Sequence, residues 1–121
     1  MSYSKLNKIV KKLSEKTEAE KIEWEPTALE GVFQTAFSDY TIRLGTSTVR
    51  GGVEIYIYNY AGELMESANC DALLSFDNNI YETMSKMYGA ARRQALGVDK
   101  ALDDILTALE EDDKPDGDVP I

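Results

Sequence analysis

Between Val53 and Tyr60 the chain reads VEIYIYNY, its most β-prone run and the one with the cleanest alternation. Successive strand side chains point to opposite faces, so Val53, Ile55 and Ile57 share one face while Glu54, Tyr56 and Tyr58 share the other. An apolar face backed by an amphipathic one fits an antiparallel sheet covered on one side better than a parallel sheet buried on both. The flanking sequence must then supply paired strands and a helical cover for the apolar face.

Strand partners are legible on both sides. Val32 to Phe37 and Tyr40 to Leu44 are joined by Ser38-Asp39, and Tyr40, Ile42 and Leu44 alternate with Thr41 and Arg43. The polar turn GTSTVRGG, Gly45 to Gly52, leads into the central strand, and Gly62 closes a hairpin toward a further strand at Glu63 to Glu66. Upstream, Ile22 to Trp24 forms a short extended piece, and Pro26 pushes Glu25 out of helical geometry. Trp24, the single tryptophan, is expected as a lid over one edge of the core.

Helical periodicity brackets the strands. Leu6, Ile9, Val10 and Leu13 form a stripe with Ser4 placed to cap it and Lys5, Lys8, Lys12 and Lys16 on the opposite side. After Asp77, placed as a cap, and Phe76, placed to staple against Tyr81, the residues Ile80, Met84, Met87, Tyr88, Ala91 and Ala95 trace one helical face as far as Gly97. Asp99 can cap a last helix whose stripe is Leu102, Ile105, Leu106 and Leu109. The order predicts an α+β fold: an N-terminal helix, an antiparallel three- to four-stranded meander, and two C-terminal helices packed on one sheet face. A single domain is expected over residues 1–111, with an acidic C-terminal tail at 112–121.

Charge is unevenly distributed along the 121 residues, whose formal net charge is −9. Residues 1–16 carry five lysines and one glutamate, whereas residues 99–121 carry nine acids and two lysines. Long-range repulsion from a phosphate backbone disfavours nucleic acid as a partner and favours a basic protein. One cysteine, no leader peptide and no apolar run near the roughly 18 residues of a membrane span predict a soluble, cytoplasmic chain with no membrane partner.

The chemistry that the sequence supports is sparse. There is no histidine, which removes the usual general base, the Ser-His and Cys-His nucleophile pairs and nearly every familiar zinc site. Cys70 lacks a cationic neighbour in sequence and reads as a core or loop residue. The DDKPDGD segment has a lysine, Lys114, where a calcium loop needs an oxygen ligand, and the spacing of glycines supplies no phosphate cradle. No catalytic residue, metal or cofactor is therefore expected, and the chain is read as a non-enzyme.

Two surfaces remain as candidate partner sites. The outer sheet face carries Arg43, Tyr56 and Tyr58, which can anchor a protein interface, including one between two copies of the chain, or stack bases as a nucleotide or single-stranded RNA reader. The acidic end carries Asp103, Asp104, Glu110, Glu111, Asp112 and Asp113, which can imitate phosphate spacing and enter the basic groove of a nucleic-acid enzyme. Arg92-Arg93 with Lys86 reads as a salt-bridged structural group.

Taken together, IEWEPT, YTIRL, VEIYIYNYAGEL and MYGAARRQALGVDKALDDILTAL make the chain after residue 20 resemble a set of small uncharacterised proteins of bacterial genomes and mobile elements. That resemblance implies an α+β fold of this order in a bacterial or phage setting and carries over no activity or site residue. The expected function is a protein-binding regulator or inhibitor, with nucleotide or single-stranded RNA binding as the alternative.

Overall fold

The computed structural model describes residues 3–46 and 52–112. The polar turn preceding the central strand and the calcium-like segment fall largely outside these residues, and Asp113 lies outside them altogether. Helix α1 (Tyr3–Glu18) leads into five strands, β1 (Glu25–Pro26), β2 (Phe33–Phe37), β3 (Tyr40–Thr46), β4 (Val53–Tyr58) and β5 (Leu64–Asn69). Three helices follow: a single turn α2 (Cys70–Leu73), then α3 (Ile80–Leu96) and α4 (Val98–Asp112).

All neighbouring strands pair antiparallel in the order β1-β2-β3-β4-β5, so the sheet is a meander of five strands rather than three or four. The extra strand is β1, two residues long, which pairs Glu25 with Gln34 and Pro26 with Phe33. Pro26 lacks an N–H for a ladder, which suits it to this edge position. At the far edge the β4–β5 register shifts after Ile57, where Tyr58 faces Leu64 and Met65 is skipped.

The register decides the faces. Phe33, Leu44, Ile55 and Ala68 lie in one cross-strand row and are all buried. They meet Leu6, Val10 and Leu13 of α1 and Ile80, Met84, Met87 and Ala91 of α3 in one core cluster. The apolar face read from the alternation of β4 is thus the covered face, although Ile57 at its end is only partly buried.

Trp24 is 2% exposed and closes the core near the C-terminal ends of α1 and α3. Its indole N–H donates to Thr17 Oγ at 3.0 Å and its backbone N–H donates to Gln94 Oε1 at 3.0 Å. The expected start of α3 is only partly realised: the helix begins at Ile80, Asp77 accepts from the Asn79 N–H ahead of it, and Phe76 is exposed. Gly97 ends α3 in the left-handed region, φ 64, with its N–H directed at Arg93 and Gln94 carbonyls. That conformation, open to glycine without a Cβ penalty, lets α4 begin at the next residue.

Helix α4 departs from the expected cover. Its principal contact is with α3, and it is not packed on the sheet. Leu102, Ile105, Leu106 and Leu109 are 47–56% exposed, so the stripe that periodicity assigns to the core faces outward.

Candidate functional site

Among the described residues the outer sheet face carries no helix, and it brings Arg43, Tyr56 and Tyr58 together as the alternation requires. Arg43 stands across from Tyr56 in the β3–β4 register and Tyr58 is two residues on. The side chains are spent on one another: the Arg43 guanidinium carbon lies 5.1 Å from the Tyr58 ring centre, its Nε donates to Gln34 Oε1 at 3.0 Å, and Tyr56 donates its hydroxyl to Glu54 at 2.8 Å. A ring face already covered by a guanidinium is a poor platform for a nucleobase, since stacking must first displace the cation–π contact.

Tyr56 has a testable signature. Burial first, then the hydrogen bond to Glu54 and the nearby charges, push its phenol from 10.0 up to about 12. The folded chain holds this proton more tightly than the unfolded chain, so its contribution to stability is complete below pH 10 and is lost as pH rises toward 12. Tyr56→Phe is expected to remove the latest-ionising tyrosine from an ultraviolet phenolate titration and to flatten the fall in urea midpoint across that window. An unchanged titration would show that Tyr56 is not the tightly held proton.

The acids of the candidate acidic end are helical as far as Asp112. Asp103, Asp104, Glu110 and Glu111 all lie in α4 and are exposed, and Asp112 is the last residue of the helix. At about 100° per residue, Asp103 and Glu110 fall on one flank of the apolar stripe, whereas Asp104 and Glu111 fall on the far side. Asp104 is held by Lys100 at 2.8 Å, and Asp99 by Arg93 of α3 at 2.7 Å. Arg93 thus has the salt-bridged role expected of the Arg92-Arg93 pair, while Lys86 approaches Glu18 at 4.0 Å. The acidic site and the exposed stripe are one surface, an amphipathic helix with its apolar side unpartnered among the described residues.

A second apolar surface was not foreseen from the sequence. A groove of 440 Å³ runs between α1 and the sheet. Ile9, Lys12, Leu13 and Lys16 form its α1 wall, Phe37 and Tyr40 at the β2–β3 hairpin form the opposite wall, and Ile42 and Ile57 form the floor. Ile9, Phe37 and Tyr40 are 37–47% exposed. The sequence signal was present in Ile9, which sits at the edge of the α1 stripe nearest Lys12 and Lys16, but periodicity alone assigned it to the core.

Elsewhere, the buried Asn7 Oδ1 is without a hydrogen-bond partner among the described residues. The cavity of 510 Å³ between the C-terminal ends of α1 and α3 contains Arg93, Asp99 and Gln94, whose partners are given above. Cys70 is buried with its Sγ 3.5 Å from the Val53 carbonyl oxygen, and burial pushes its thiol pKa up, which works against a nucleophilic role. Among the described residues no group of three or more histidine, cysteine or acidic side chains is placed to hold a metal ion, and no helix is long and apolar enough to cross a membrane. No family model matches the chain, and neither a curated protein nor a solved structure matches it.

Proposed function

We propose that the chain is a non-enzymatic protein-binding regulator or inhibitor that engages its partner through α4. The observation that carries this is the exposed stripe Leu102, Ile105, Leu106 and Leu109 beside the acids Asp103 and Glu110. A helix with an apolar face is usually held by burying that face, and here the face lies open. Completing the burial of each side chain is worth roughly 1–2 kcal/mol at about 25 cal/mol per Å², so four supply a useful share of a binding energy. The acids add orientation and encounter rate toward a basic surface more than affinity.

The partner is a protein presenting an apolar groove with basic residues on its rim, and a basic nucleic-acid enzyme is one form of it. The buried free thiol of Cys70 supports placement in a reducing compartment such as the bacterial cytoplasm.

The test is capture by tagged wild type and by Leu106→Glu. Because Leu106 is 55% exposed, the variant is expected to melt within a few degrees of wild type yet to lose partner capture. Asp103→Asn with Glu110→Gln is expected to weaken capture at low salt and much less at high salt. Equal capture by wild type and Leu106→Glu would overturn the proposal.

A further inference from the structure

We propose that α4 of one copy lies in the groove between α1 and the sheet of a second copy, and reciprocally, so that the chain forms a two-fold exchanged dimer. This rests on the reading of α4 as a docking helix and names its occupant.

Charge selects the pair. Helix α1 carries Lys5, Lys8, Lys11, Lys12 and Lys16 against Glu15 and Glu18, whereas α4 carries Asp99, Asp103, Asp104, Glu110, Glu111 and Asp112 against Lys100 alone. Pairing two α4 helices with each other would bring like charges together, but setting α4 beside α1 brings opposite ones together. Length agrees: Ile9 to Lys16 along the groove and Leu102 to Leu109 along the stripe are each seven-residue steps, about 10 Å of helix.

Handedness then fixes the direction. With the stripe turned toward α1 and the sheet floor, α4 laid parallel to α1 raises Asp103 and Glu110 toward Lys12 and Lys16 on the solvent side. Reversing a right-handed helix exchanges its flanks, so the antiparallel arrangement would press the same acids onto the apolar floor.

The helix cannot reach the groove of its own chain. Helix α1 meets α3 and the turn before it along the flank bearing Lys11, 3.8 Å from Asp77, and Glu18, 4.0 Å from Lys86. The groove opens on the other flank, at Ile9, Lys12 and Lys16. Gly97 alone joins α3 to α4. One residue spans at most about 3.6 Å, while packed helices stand about 8–10 Å apart, so α4 cannot cross α1 to lie beside it with both helices intact. The two-fold exchange satisfies both grooves at once and closes the assembly.

The experiment is sedimentation velocity on the full chain across a concentration series, with circular dichroism to establish folding. Wild type is expected at twice the chain mass. Leu106→Glu on α4 and Tyr40→Glu on the groove wall are both expected to be folded and monomeric, since each residue is about half exposed. Mixing the two variants is expected to restore a dimer through the one intact helix-groove contact, at least tenfold weaker than wild type. Lys12→Glu with Lys16→Glu is expected to weaken the dimer at least tenfold at low salt, and adding Asp103→Lys with Glu110→Lys is expected to recover most of that loss.

A monomeric wild type at every concentration overturns the exchange, and if Leu106→Glu still loses capture of another protein, α4 stands as a docking helix for that protein instead. A dimer lost in Leu106→Glu but kept in Tyr40→Glu places α4 somewhere other than the groove. A dimer surviving both variants lies on another face, such as the tyrosines of the sheet, and overturns the inference.

Discussion

Ile55→Asp is expected to leave the chain unfolded in water. Ile55 is fully buried at the centre of β4, between Leu44 of β3 and Ala68 of β5, and the helices α1 and α3 close the face above it. The substitution removes a side chain whose burial is worth about 1.5–3 kcal/mol and puts in its place a carboxyl group with no partner there, at a further cost of several kcal/mol whether it stays charged or takes up a proton. The total is comparable with the 5–15 kcal/mol that holds a typical domain together. Tyr58→Asp, on the opposite face of the same strand, loses a cation–π contact with Arg43 and about 1 kcal/mol. Far-ultraviolet circular dichroism and urea titration of the two variants measure the difference, and similar midpoints would mean that the two faces of β4 are equivalent, against the burial seen here.

Trp24→Ala is expected to cost about 3–5 kcal/mol, the range for deleting a buried aromatic side chain. The indole does more than fill space: its N–H is the partner of the buried Thr17 hydroxyl, so the variant leaves a cavity and removes that bond together. Trp24→Phe separates the two effects, because it keeps much of the apolar volume while deleting the donor, and is expected to cost about 1–3 kcal/mol. Urea midpoints give both values. The wild-type emission is expected to be that of a shielded indole and to shift to the red on unfolding; an emission already red-shifted in the native state would contradict the burial of Trp24.

The local signals carried the fold a long way because each depends on short-range geometry. Alternation in VEIYIYNY placed Val53 and Ile55 inward and Tyr56 and Tyr58 outward, the spacing of Ile80, Met84, Met87 and Ala91 gave the buried face of α3, and Gly97 marked its end. Strand β1 was not legible, because two residues have no periodicity and Glu25 and Pro26 become a strand only through the neighbouring Gln34 and Phe33. The groove was not legible either, since Ile9, the Phe37 and Tyr40 hairpin, and Ile57 come from three places in the chain and only the crossing of α1 over the sheet brings all of them together.

The acids and leucines of α4 show the division most clearly. Their sequence determines that the helix has an apolar side and an acidic flank, because a 3.6-residue period fixes which side chains share a face. It does not determine what that side meets. Helices α1 and α3 occupy the middle of the sheet, and the room left beside α1 lies on the flank away from α3. With a single residue between α3 and α4, chain connectivity keeps the last helix from that room, so the apolar side that the sequence assigned to the core is turned outward by the tertiary structure.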